Sequence, residues 1–305
     1  MALTYTDLNS ITQKLYIPKM VDNIFDSNAL LQRWKKNNYK SVDGGTKIVE
    51  PLLYDTTTAA GRYQGADTLN ITGNDQFTAA EFDYKEYYAS IPITRIDELK
   101  NSGKSRVISM VEAKVQAAEK TLKDIMGTDI FGDGSTANAM KGIQLICDVT
   151  GTYGGIAKGS YSWWQAQQDT TTTAFTLAAF QALFGACSID NDRPTVAVTT
   201  QAIYDDAYGQ VQPQQRFTDS STMKAGFTNM ILNGIPLIVD SHQTSGYMHL
   251  LNEKYINLRY HKDENFRFDP FKKPINQNVT VAHIFWTGAL TCNNCRMQGE
   301  FSALV

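Results

Sequence analysis

The sequence predicts an α+β fold in which one long helix lies across a sheet, and three observations predict it. Apolar residues recur at spacings of three and four through residues 96–126, strand-like segments of period two flank that stretch, and a short helix signal at 176–187 stands among further strand signals. A chain of 305 residues corresponds to about two domains or one large one. Hydrophobic residues make up 42% and charged residues 19%. That mixture can bury a core, which excludes wholesale disorder.

The first forty-odd residues scatter apolar anchors (Ile17, Val21, Ile24, Phe25, Leu30, Leu31, Trp34) among polar spacers, and Pro18 blocks a continuous helix. Such a segment is expected to lie as an arm on the rest of the chain or on a neighbour. Gly44-Gly45 then opens a hairpin-like unit. Residues 46–54 are strand-like, with Ile48, Glu50, Leu52 and Tyr54 on one face, and residues 77–94 alternate Phe82, Tyr84 and Tyr88 against Lys85, Tyr87, Ile91 and Ile93. Between them, residues 55–76 are rich in Thr, Gly, Asn and Asp and are too polar to bury themselves. A loop of that length in a compact protein implies a partner or a function, unless it is simply mobile surface.

In the long helical pattern Ile108, Val111, Val115, Ala118, Leu122 and Ile125 form one stripe, with Glu112, Lys114, Glu119, Lys120 and Lys123 opposite. Thr94 with Asp97 reads as a capping box, Asn101-Ser102-Gly103 as an interruption and Gly127 as the stop. The stretch spans roughly 45 Å at the rise of an α-helix. Further on, 176–187 predicts a helix burying Leu177, Phe180, Leu183 and Phe184, while 195–200 and 235–241 predict buried strands. Asn252-Glu253-Lys254 is expected to turn 247–251 and 255–260 into a hairpin, and 279–290 with 296–304 to complete the sheets.

Chemistry is sparse. With 28 Lys and Arg against 31 Asp and Glu, the net charge of −3 argues against a basic nucleic-acid binder. No run reaches the ~18–20 apolar residues of a membrane span, and the first residues lack a signal-peptide pattern, so an intracellular protein is expected. Asp240-Ser241-His242 has the residue types of a hydrolase triad, but strand neighbours point to opposite faces, and no Gly-x-Ser-x-Gly elbow is present. Gly103-Lys104-Ser105 resembles the end of a phosphate loop, yet Glu98 stands where its first glycine belongs. Cys292-Asn293-Asn294-Cys295 has only His283 near it as a further zinc ligand, and a tight Asn-Asn turn with positive φ, its cysteines facing each other, accounts for it. No catalytic, cofactor-binding or metal-binding residue is therefore expected.

Several segments, taken in order, carry a resemblance: Tyr16-Ile17-Pro18-Lys19-Met20-Val21-Asp22-Asn23-Ile24-Phe25, Gly44-Gly45-Thr46-Lys47-Ile48-Val49-Glu50-Pro51, the helix of 96–126, Gly159-Ser160-Tyr161-Ser162-Trp163-Trp164, Gly234-Ile235-Pro236-Leu237-Ile238-Val239-Asp240, Tyr247-Met248-His249-Leu250-Leu251-Asn252 and Gly299-Glu300-Phe301-Ser302-Ala303-Leu304. Over essentially its whole length the chain resembles the major capsid proteins of tailed bacteriophages, which have the Hong Kong 97-like shell fold. The resemblance implies an N-terminal arm (1–43), an extended β-hairpin loop (44–95), a peripheral domain with a spine helix (96–175), an axial domain (176–275) and peripheral return strands (276–305). It implies a structural protein, not an enzyme, that self-assembles into hexamers and pentamers of an icosahedral head around double-stranded DNA, with portal and scaffold proteins as partners and the virion as its location. No scaffolding segment precedes the arm, so a separate scaffold or none is expected, and no cross-linking residues are identified. An encapsulin-like compartment shares the fold and stays open as an alternative. A monomeric hydrolase or sugar-binding protein is the reading from another class, with Trp163-Trp164 its only hint.

Overall fold

The computed structural model describes residues 28–100, 104–211 and 230–305. The motif at 16–25 lies outside them, as does Gly103 of the phosphate-loop lookalike.

The last part of the expected arm packs on the chain's own core. Asn28 caps the helix Ala29–Asn37 by accepting the Leu30 and Leu31 amides at 2.9 and 3.0 Å, and Leu30, Leu31 and Trp34 are buried. Tyr39–Val42 then adds a parallel strand to Ile256–His261. That strand is the edge of a five-stranded sheet that continues through Val279–Cys292 to Arg267–Lys272, with Lys85–Thr94 also paired on Val279–Cys292. The alternation expected around Tyr87 holds: Tyr87, Ala89, Ile91 and Ile93 face the core and Tyr88 faces out.

The long helix, Lys104–Phe131, crosses this sheet. Its Lys114 ammonium donates to the Pro92 carbonyl at 2.8 Å, and Tyr87 donates to Asp129 at 2.6 Å while accepting the Met140 amide. The buried stripe is Val111, Val115, Ala118, Leu122, Met126 and Ile130. It departs from expectation in three ways. Thr94 does accept the Asp97 amide, but it caps a separate short helix, Arg95–Lys100. Ile125 is exposed, because the 3.6-residue period carries the stripe from Leu122 to Met126. Gly127 does not end the helix, which runs four residues further to Phe131.

Gly127 answers a different need. A Cβ there would sit 2.8 Å from the ring of His242, so the missing side chain admits the turn after strand Ile235–Val239 against the helix. Alanine favours a helix over glycine by about 1 kcal/mol, yet here it must displace a ring. Gly127→Ala is expected to lower stability by about 1–3 kcal/mol, read as a drop in thermal midpoint; a rise would mean that the ring moves aside freely.

The second sheet has six strands in the order Gln167–Asp169, Gly299–Phe301, Met248–Leu251, Val196–Thr199, Ile235–Val239 and Met230–Leu232. The expected helix is Leu177–Ala186, capped by Thr176, whose hydroxyl accepts the Ala179 amide. Its Phe180, Leu183 and Phe184 share a core with Ile203, Tyr204, Leu237, Leu250 and Phe301.

Two connections differ from expectation. Met248–Leu251 and Ile256–His261 are not a hairpin: the first lies in the six-stranded sheet and the second in the five-stranded one. Asn252 accepts the Lys254 amide and starts a single 3₁₀ turn, Glu253–Tyr255, that carries the chain across without reversing it. Gln298 holds the crossing in place through bonds to both the amide and the carbonyl of Asn252. The closing strand is short, Gly299–Phe301, and follows another 3₁₀ turn, Cys295–Met297. The two sheets draw their strands from interleaved parts of the chain. Ile256–His261 and Arg267–Lys272 belong with the long helix, and Gly299–Phe301 belongs to the other sheet.

Candidate functional site

The most prominent surface is a two-stranded arm, Ile48–Leu53 paired antiparallel with Phe77–Phe82 in the register Leu53 opposite Phe77 and Val49 opposite Glu81. Period two splits it into two faces. Ile48, Glu50, Leu52, Ala80 and Phe82 turn inward and are buried. Val49, Leu53 and Phe77 turn outward and are 56%, 67% and 74% exposed.

The root of the arm is clamped to the body. Glu50 is buried and accepts from the Arg259 guanidinium at 2.8 Å and from the Thr291 hydroxyl at 3.0 Å. Gly154 adopts φ +60°, its carbonyl accepts the Glu81 amide at 2.9 Å, and a Cβ there would come within 2.7 Å of the Ala80 methyl. Phe82 meets Tyr153 edge-on and Tyr54 stacks on Trp163. Beside this root lies an open recess of about 490 Å³ lined by Leu52, Tyr54, Trp163, Asn293 and Arg296 among others.

The tip is different. Residues 55–76 are held by exposed polar bonds across the loop: Asn74 donates to the Asp55 carboxylate and the Thr56 carbonyl, Asn70 to the Thr58 carbonyl, and the Thr58 amide to Asn74. Tyr63, Leu69 and Ile71 nevertheless stand in the open, Ile71 at 89% exposure. The expectation that this loop cannot bury itself matches these exposures.

The residues of the chemical motifs do not converge on one site. The His242 ring lies 3.2 Å from Asp240 and 3.6 Å from Asp124, whereas Ser241 is exposed in the turn and makes no bond to the imidazole. Trp163 and Trp164 sit on a 3₁₀ turn, Ser162–Trp164. Trp164 is buried and donates its indole N–H to the Tyr153 carbonyl, so it belongs to the core and the pair does not form one stacking cleft. The expected turn between Cys292 and Cys295 is present without positive φ, Asn294 being extended at φ −152°. Both thiols are free and fully buried, and burial raises that of Cys292, with Cys295 as its hydrogen-bond neighbour. A double alanine variant of this pair is expected to fold and assemble with a loss of about 1–3 kcal/mol, read by thermal unfolding and particle yield; complete loss of folding would assign the pair a larger role.

One cluster brings together metal-ligating groups that sequence spacing does not. Cys147, His249 and Glu300 are all buried, with one ligand atom of each lying within 4.8 Å of the others. His249 faces Glu300 directly across the antiparallel strands Met248–Leu251 and Gly299–Phe301, and Cys147 ends the short helix Ile143–Cys147. Burial pushes the Glu300 carboxyl up to about 7 and the His249 imidazole down to about 3. The three positions are far apart in the chain, and the sequence signals were single titratable residues, His249 and Glu300, within the short segments Met248–Leu251 and Gly299–Phe301.

No family model matches the sequence, and no curated protein matches it. Solved structures do. The chain superposes on the capsid protein of cyanophage A-1(L) with a TM-score of 0.66 at 15% identity, covering 87% of this chain and 90% of that one. The capsid of the native GTA particle matches at TM-score 0.60 and 11% identity, covering 89% and 90%. The SrpI encapsulin of Synechococcus elongatus matches at 0.59 and 10%, covering 89% and 87%. The fold is thus the Hong Kong 97-like fold, which these capsid and encapsulin structures share.

Proposed function

We propose that this protein is the major capsid protein of a tailed bacteriophage, a structural subunit that assembles into the hexamers and pentamers of an icosahedral head enclosing double-stranded DNA. The observation that carries the reading is the arm: a rigid root with an outward apolar face and a tip holding Ile71, Leu69 and Tyr63 in water, on a fold whose structural neighbours are shell subunits. At ~25 cal/mol per Å² of apolar area, a face of this kind gains its burial from an adjacent subunit. In this reading the five-stranded sheet, with Val279–Cys292 as its return strand, and the long helix form the peripheral domain. The six-stranded sheet with the helices Leu177–Ala186 and Gln201–Val211 forms the axial domain at the capsomer centre. Portal and scaffold proteins are partners, and the virion is the destination.

The encapsulin match supports a second reading, a protein-filled compartment. Portal and terminase genes beside this one would favour the first reading, and a cargo-enzyme gene the second. Native mass measurement tests the assembly step. The expected species are about 170 and about 204 kDa, five and six chains of 34.0 kDa, or larger closed particles. A monomer at every concentration would contradict it.

A further inference from the structure

We infer that Cys147, His249 and Glu300 supply three ligands of a buried zinc site, with water as the fourth, joining the short helix Ile143–Cys147 to the six-stranded sheet. The side chains of His249 and Glu300 are almost wholly buried, at 0% and 1% exposure. Among the described residues, neither ring nitrogen of His249 nor Oε2 of Glu300 has a hydrogen-bond partner. Leaving such groups unmet in a core costs about 1–3 kcal/mol each. The one approach between them, His249 Nδ1 to Glu300 Oε2 at 3.5 Å, is longer than the ~2.7–3.2 Å of a good N–H···O bond.

That separation does suit a shared metal. Ligands at about 2.0–2.3 Å from a tetrahedral zinc stand about 3.3–3.8 Å apart, so the 3.5 Å pair already fits. The remaining ligand separations, within 4.8 Å, must close by up to about 1.3 Å to reach the ~3.5 Å of a sulfur and a nitrogen or oxygen on one zinc. The donor set of one thiolate sulfur, one imidazole nitrogen and one carboxylate oxygen is the mixed kind that zinc takes. Thiolate and carboxylate together neutralise a dication and neutral imidazole adds no charge, while the buried Lys158 ammonium nearby is held separately on the carbonyls of Leu145, Ile146 and Asp148. Gln168 donates its amide to the other Glu300 oxygen, holding the carboxylate with Oε2 towards the cluster, as outer partners of metal ligands do. Cys147 comes from the short helix after the long one, whereas His249 and Glu300 come from paired strands of the six-stranded sheet. A metal there would fasten the two.

The site is enclosed, so zinc must enter as the chain folds. Full-length protein produced in zinc-supplemented medium and washed with chelator is expected to retain about one zinc per chain by elemental analysis. Cys147→Ser and Glu300→Gln should each reduce it at least about fivefold, and the Cys292→Ala, Cys295→Ala double variant should keep it. X-ray absorption of the wild-type protein reads the site without relying on any variant's folding: one sulfur at about 2.3 Å with nitrogen and oxygen at about 2.0–2.2 Å is expected. Zinc-free wild-type protein would overturn the assignment. So would a shell without sulfur, or one with two sulfurs.

Discussion

Val115→Asp is expected to leave the subunit insoluble. Val115 is buried at the middle of the long helix, in a core shared with Ile91, Ile284 and Trp286. A carboxylate placed there has no cationic partner in the stripe and must either stay charged in a poor dielectric or take up a proton. Either course costs upwards of about 4 kcal/mol, a large part of the ~5–15 kcal/mol that holds an ordinary domain together. Glu119→Ala, one turn on and only half-buried, is the matched control and should shift stability by no more than about 0.5 kcal/mol. Soluble yield and thermal midpoint decide the matter, and equal damage from both substitutions would mean that the helix presents a different face to the sheet.

Removal of residues 56–73 is expected to separate folding from assembly. The deletion takes away Tyr63, Leu69 and Ile71, which contribute nothing to the subunit's own core, and leaves the paired strands Ile48–Leu53 and Phe77–Phe82 intact. Asp55 and Asn74, already joined by a 3.0 Å hydrogen bond, become neighbours in the shortened turn, and the Tyr54 amide still donates to the Gln76 carbonyl. The thermal midpoint should barely move while the yield of closed particles falls to background. Normal particles from this variant would remove the tip from the assembly mechanism.

Much of this architecture was legible because local periodicity decides it. The face Ile48, Glu50, Leu52, the stripe Val111, Val115, Ala118, Leu122 and the buried run at Val196–Thr199 all follow from side-chain spacing alone. What was not legible depends on partners distant in sequence. Gly127 looked like a helix stop because nothing nearby announced the His242 ring. The turn after Asn252 looked like a hairpin because the strands on either side are both apolar, and only the pairing of each in a different sheet separates them. The same holds for Cys147, His249 and Glu300, which the pairing of strands and the end of a short helix bring together. The assembly surface was foreseen as a loop too polar to bury itself. Its apolar outward face at Val49, Leu53 and Phe77 was not, because the strand pattern there alternates two faces that are both partly hydrophobic.

Assembly is the central claim, and negative-stain electron microscopy of the purified full-length protein, alone and with a candidate scaffold protein, tests it most directly. The account predicts closed, uniform icosahedral particles, or rings of five and six subunits that close when the scaffold is added. Fields of dispersed single subunits under both conditions, from protein that is folded by its thermal transition, would contradict it.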